Sequence, residues 1–233
     1  MTSIPRETVS PWRIDVLGNP PPGPTTSGLD RSLWELGAGL VGRGHRVRIL
    51  FATPTPTVPP PYRGVEGVPV PIVPSGRRPV PQAVEVGKAA RECIAPDTQV
   101  LLGTDERAGA IKSPGRGRGP SLVLYLNSAP SDRANNAGAD GASHGILDRL
   151  GGWMDQRTLR RLETESLGRA SVVLASSAST RDRLTQLHKL ASGRVGVLPP
   201  TVPDPDVSES REQARMALKI PMDVPVAAFV GHR

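Results

Sequence analysis

Hydrophobic and polar positions alternate along this chain in blocks whose period switches between about two and 3.6 residues. Arg13-Ile-Asp-Val-Leu-Gly18 reads as a short strand that runs into a turn-rich loop, Asn19 to Gly28. Leu29, Leu33, Leu36 and Leu40 follow at spacings of 4, 3 and 4, the apolar stripe of a helix. Asp30 in its first turn complements the helix dipole, and Gly44 ends it. Arg46-Val-Arg-Ile-Leu-Phe-Ala52 then predicts a second strand. Strand, helix and strand in this order make a βαβ unit, which crosses over right-handed between parallel strands.

The same alternation continues to the end of the chain. Val68 to Val73 carries two prolines, each of which removes a ladder donor, so it is expected as an edge or irregular strand. Helices are predicted over Gln82 to Ile94, Glu106 to Ile111, Leu147 to Arg169 and Thr180 to Leu187. Between them stand strands at Thr98–Leu102, Ser121–Leu126, Ser171–Ala175 and Arg194–Leu198. This order predicts an α/β fold, a doubly wound Rossmann-like parallel sheet. Residues 1–12 are expected to be disordered and 13–200 to form the main domain. Beyond it, 201–233 reads as a linker, a helix from Arg211 to Leu218, and the first strand, Val226 to Val230, of a second α/β unit whose remainder is absent.

Composition narrows the function classes. Apolar residues are 37% of the chain and aromatics only 3%, so a packed core must rest on Val, Leu, Ala and Ile. The net charge of +7 would suit phosphate, nucleic acid or an anionic membrane surface, but the arginines are spread, as on a solvated surface. Cys93 is the single cysteine, which excludes an internal disulfide and fits a reducing cytoplasm. The four histidines (His45, His144, His188 and His232) show no zinc spacing, and no metal site is expected. The N-terminus lacks the form of a signal peptide, and no apolar run reaches membrane-spanning length. The chain is therefore expected to be cytoplasmic.

Three motifs match a catalytic pattern without its context. Gly37-Ala-Gly-Leu-Val-Gly42 fits the dinucleotide fingerprint, yet lies late in a helix, where close helix packing is the expected use. Gly141-Ala-Ser-His-Gly145 fits the nucleophile elbow, but no strand delivers Ser143. Asp204-Pro-Asp206 could hold a cation between two carboxylates, yet it sits in a proline-rich linker. Arg157, Arg160, Arg161 and Arg169 make one helix locally basic, so a peripheral contact at the inner membrane surface is a further option. Glu163 and Glu165 dilute that charge, while Trp153, Leu159 and Leu162 give the helix an apolar side.

Pieces in the right order over most of the chain resemble one family: "PPPGPTTSGLDRSLWELGAGLVGRGHRVRIL", "ASVVLASSASTRDRL", "RVGVLPPTVPDP" and "REQARMALKIPMDVPVAAFVGHR". From about Arg13 to Arg233 the chain is similar to the N-terminal half of a GT-B fold, in the retaining glycosyl-transferase-family-4 group. The resemblance implies hexosyl transfer from a UDP-, GDP- or similar nucleotide sugar to a sugar, lipid-linked or small-molecule acceptor, with no cofactor. It places Ser27 and Gly28 in the family's glycine loop, followed by Asp30, facing the donor phosphates and the acceptor. Ser27 stands where members carry a glycine. Asn127 and Ser128 occupy an acceptor-side loop where many members have a histidine, so no imidazole role is expected there.

The family's paired-glutamate motif, E-x7-E, belongs to its C-terminal domain, and no two glutamates of this sequence have that spacing. The resemblance thus implies that catalytic residues and the groups neutralising the diphosphate lie outside this chain. On that basis the chain alone is expected to be inactive, and a separate chain carrying the other domain is a conceivable partner. Two readings from other classes stay open: a non-catalytic α/β module that binds a partner chain or an acceptor glycan, and a basic nucleic-acid-binding protein.

Overall fold

The computed structural model describes residues 10–22, 28–72, 79–104, 107–111, 119–127, 146–200 and 210–224, leaving aside the side chains of 28, 29, 79–83, 146–156 and 192. By chain contacts it divides into two units, Met1–Thr201 and Val202–Arg233. In the first, seven parallel strands form one sheet: β1 (Arg13–Gly18), β2 (Arg46–Thr53), β3 (Glu66–Pro71), β4 (Val100–Gly103), β5 (Ser121–Leu126), β6 (Val172–Ala175) and β7 (Val195–Val197). The helices are α1 (Gly28–Val41), α2 (Pro79–Cys93), α3 (Arg107–Ala110), α4 (Ile146–Arg169) and α5 (Ala178–His188). The strand order is β3-β2-β1-β4-β5-β6-β7, the doubly wound arrangement that the alternation predicts.

Side-chain alternation divides the core into two layers. On one face Ile14, Val16, Val47, Ile49, Leu102 and Tyr125 pack with Leu33 and Trp34 of α1. On the other, Leu17, Leu50, Leu101, Leu122, Leu124 and Val173 pack with Ala90 of α2, Ala108 of α3, Leu167 of α4 and Leu184 of α5. The α1 face is built around Trp34, which is fully buried, rather than around the leucine stripe alone, since Leu36 and Leu40 are half-buried. Gly44 ends α1 as expected: its φ of +90° is left-handed, where a side chain is strained, and its N–H reaches Val41 O at 2.8 Å.

No helix joins β2 to β3. Prolines at 54, 56 and 59–61 exclude one, and the chain instead crosses the α1 face through a tight hairpin at Tyr62–Val65. Arg63 (φ 47°) and Gly64 (φ 84°) supply the two positive angles of its type I′ turn. Val65 is thereby fully buried against α1, and Tyr62 packs edge-on to Trp34 at 5.9 Å. β3 lies at the sheet edge and pairs only with β2, so Pro69 and Pro71 cost the sheet no interior ladder bond.

Helix α4 departs from the expected pattern. Its buried side is Leu159, Glu163, Ser166 and Leu167, so Glu163 does not sit among the solvated charges. Its carboxylate is 2% exposed and lies 3.3 Å from His188 Nε2 of α5, at ion-pair range but without hydrogen-bond geometry. Arg169 also leaves the basic face: its guanidinium donates to Gly109 O and Ile111 O at the C-terminal end of α3. Burial lowers its pKa, with Glu165 opposing.

The second unit contains α6 (Arg211–Ala217). Ser210 and Gln213 close a capping box on it, and Arg215 donates to Pro221 O and Val224 O. The expected strand at 226–230 lies outside the described residues.

Candidate functional site

Parallel pairing throughout brings the carboxyl end of every strand to one edge of the sheet. β1 leads to its neighbour β2 on one side, whereas the chain returns from β3 to β4 on the other. The loops leaving β1 and β4 therefore diverge, and the crevice between them is the position where such sheets bind ligands.

Both strands bordering this crevice end in a glycine that permits close approach. A Cβ on Gly18 would stand 2.8 Å from Ile49 Cγ2 and from Leu33 Cδ2, and one on Gly103 would stand 2.4 Å from Ala108 Cβ. The strand ends can therefore lie directly against α1 and α3.

Polar side chains from three elements meet at the β1 end. Asn19 Nδ2 donates to Asp30 Oδ1 at 2.5 Å, and Trp34 Nε1 donates to Asn19 O at 3.1 Å. Arg107 Nη1 donates to Gly18 O at 3.1 Å and to Asn19 Oδ1 at 3.4 Å. Thr104 Oγ1 donates to Leu17 O at 3.1 Å. Side chains from α1, from the β4–α3 connection and from α3 thus donate to backbone carbonyls at the end of β1 and just beyond it. Asn19, Thr104 and Arg107 carry no motif in the sequence. Gly18 and Arg107 are 89 positions apart, and only the pairing of β1 with β4 joins them.

Of the residues singled out by sequence, Gly28 opens α1 and Asp30 lies in its first turn, held by Asn19. Ser27 lies outside the described residues, as does Ser128. Asn127 stands at the carboxyl end of β5, two strands from β1 and so about 10 Å away. Its carbonyl accepts from Thr180 Oγ1 at 3.1 Å, which ties β5 to the first turn of α5. Ser177 caps that turn by accepting from Thr180 N at 3.1 Å. The side-chain nitrogen of Asn127 is buried and has no hydrogen-bond partner among the described residues, an uncommon condition for a buried donor.

Of the motifs without context, only Gly37–Gly42 lies among the described residues, late in α1. Gly37 is buried against Val65 and Val47, a packing use, while Gly39 faces open space. Ser143 and the Asp204–Asp206 pair lie outside the described residues. Among the described residues no three His, Cys, Asp or Glu side chains gather as a metal site would require. No described helix is long and apolar enough to cross a membrane. A hollow of about 540 Å³ lies over α5 and the turn after it, lined by Arg181, Asp182, Thr185, Gln186 and Gly193. Its two charges pair with each other at 2.8 Å, so it presents no converging reactive groups.

Comparison with known proteins bears on this edge. The model of the family described as Glycosyltransferase Family 4 matches residues 26–204. No curated protein sequence matches the chain. Among solved structures, sucrose-phosphate synthase from Thermosynechococcus elongatus superposes with a TM-score of 0.63 at 15% identity, covering 92% of this chain and 54% of its own. UGT89C1 from Arabidopsis thaliana, solved with UDP-L-rhamnose, aligns at 13% identity and a TM-score of 0.46, over 91% of this chain and 54% of its own. The chain thus spans about half the length of the solved proteins it resembles. With the family match covering most of the doubly wound unit, this chain belongs to glycosyltransferase family 4 and has the Rossmann-like N-terminal fold of a GT-B enzyme.

Proposed function

We propose that this chain is the acceptor-side half of a retaining glycosyltransferase that moves a hexosyl group from a UDP-, GDP- or similar nucleotide sugar to an acceptor hydroxyl. The observation that carries the reading is the hydrogen-bonded crevice between β1 and β4, on a sheet matched by the family model. On this reading 13–200 is the acceptor-side domain, and 201–233 is the linker and the first helix and strand of the donor-binding domain. A family-4 enzyme needs both walls of the cleft, because closure excludes water and aligns the acceptor oxygen with the anomeric carbon.

The roles follow from placement. Gly28, next to Ser27 in the sequence, opens α1, and the positive end of a helix dipole suits an anionic phosphate. Asp30 is engaged by Asn19, which fits a positioning role better than that of a general base. Asn127 and Ser128 would face the acceptor, and the Asn127 side-chain nitrogen, without a partner among the described residues, has a donor to offer a sugar hydroxyl. The acceptor hydroxyl would attack the anomeric carbon as its bond to the diphosphate breaks. Neutralising the departing diphosphate falls to the C-terminal half, where the E-x7-E pair is expected.

The test is to mix the purified 233-residue chain with UDP- and GDP-hexoses and a panel of monosaccharide and lipid-linked acceptors. Saturation-transfer NMR should detect an acceptor, while product analysis by mass spectrometry should find no transfer. Turnover by this chain alone would refute the half-enzyme reading. Saturable binding of a protein partner with no acceptor binding would favour the non-catalytic module instead.

A further inference from the structure

We infer that Asn19 is a positioning residue that sets the first turn of α1 against the β1–β4 crevice. The inference deepens the function proposed above and rests on it for its consequence in catalysis.

Asn19 is the first residue beyond β1, where the chain leaves the sheet for the loop preceding α1. Three hydrogen bonds hold it, from two sides. Toward α1, its amide nitrogen donates to Asp30 and its carbonyl accepts from the Trp34 indole. Toward α3, its amide oxygen accepts from Arg107, whose same nitrogen also holds Gly18 O. An Asn side chain meets this requirement because its amide is donor and acceptor at once. Asp has no donor for Asp30, and Ser is too short to span both neighbours.

Each partner is itself anchored. Trp34 is fully buried in the α1 core layer. Arg107 opens α3, whose Ala108 is fully buried against the other layer. Asn19 therefore links the two faces of the sheet at the switch point. The turn it holds carries Gly28 and Asp30, the two described positions that the family resemblance assigns to the phosphate-facing loop. Removing the side chain would take away the contact that ties that turn to the end of β1 while leaving both cores packed.

The test compares wild type, Asn19→Ala, the double variant Asn19→Asp/Asp30→Asn, and Arg161→Ala as a surface control. Asn19→Ala should raise amide hydrogen exchange about 10-fold at residues 32–35 of α1, whose N–H groups bond back to its first turn, while β5 and β6 stay unchanged. The double variant reverses donor and acceptor across the Asn19–Asp30 contact and sets a carboxylate against Arg107, so it should recover protection. In the acceptor panel, Asn19→Ala should weaken binding about 10-fold and the double variant should restore it. Unchanged exchange in α1, an equal rise across the whole sheet, or a double variant as unprotected as Asn19→Ala would each overturn the inference. Because exchange is read without ligand, a panel with no binder would sink the proposed function but leave this assignment decided by its own measurement.

Discussion

Asp15 lies mid-strand in β1 with no solvent exposure, and four donors meet its carboxylate. Arg48 Nε and Nη2 approach it at 2.8 Å each, Thr98 Oγ1 at 2.7 Å and Ala95 N at 3.1 Å. The hydrogen bond to Asp15 raises the Arg48 pKa against the opposing effect of its burial. Asp15→Ala would leave the guanidinium without its counter-charge, and we expect a loss of about 3–5 kcal/mol in urea unfolding. The pair Asp15→Leu/Arg48→Met should recover most of that loss, because no buried charge then remains. The chain's two tyrosines, Tyr62 and Tyr125, offer a second check. A hydrogen bond to Glu35 raises the pKa of Tyr62, and burial raises that of Tyr125. Both folded values therefore lie above the unfolded value of about 10. Their contribution to stability is complete below that pH and is lost as pH climbs through the folded values. Absorbance at 295 nm should show tyrosinate forming at higher pH in native protein than in urea.

At the scale of elements, α3 spans only Arg107–Ala110, too short to be stable alone, and it persists because its neighbours lack side chains. A Cβ on Gly87 of α2 would stand 2.6 Å from Ala110 Cβ, and one on Gly103 of β4 would stand 2.4 Å from Ala108 Cβ. One on Gly109 of α3 itself would meet Leu162 O of α4 at 2.4 Å, a backbone atom that cannot swing aside. Arg169 then satisfies the carbonyls at the end of α3. Gly109→Ala should cost about 1–3 kcal/mol by overpacking. Gly39→Ala in α1 has open space around it and should stabilise by about 1 kcal/mol through helix propensity. Urea midpoints of the two variants should move in opposite directions.

At the largest scale, the described helices of the first unit are unequally shared, with α1 on one face of the sheet and α2 to α5 on the other. Among the described residues several of the positive charges are paired locally. Arg13 pairs with Asp97 at 2.7 Å, Arg63 with Glu35 at 3.0 Å and Arg161 with Glu165 at 2.8 Å. Local pairing of this kind lowers the field a polyanion would meet. We therefore expect binding to unrelated DNA or RNA, followed by fluorescence anisotropy, to vanish by about 150 mM salt. Tight binding with a steep salt slope would revive the nucleic-acid reading.

The elements were legible because their causes are local. Alternation marks β1, Gly44 stops α1, and Pro69 and Pro71 confine β3 to an edge; each effect acts within a few residues. Asp30 and Asn127 could be singled out through the family resemblance; Asp30 stands in the first turn of α1 and Asn127 at the carboxyl end of β5. Asn19, Thr104 and Arg107 were not legible, because each is an ordinary loop or helix residue until β4 pairs beside β1. Glu163 was misread for the same reason: helical spacing locates a face, but only the docking of α5 brings His188 to that face. Sequence alone thus determined the order and kind of the elements, through steric and hydrophobic preferences that operate between near neighbours. The tertiary structure decided which strand ends flank the crevice and which polar groups meet there, because pairing between distant segments depends on how the whole sheet buries both of its faces.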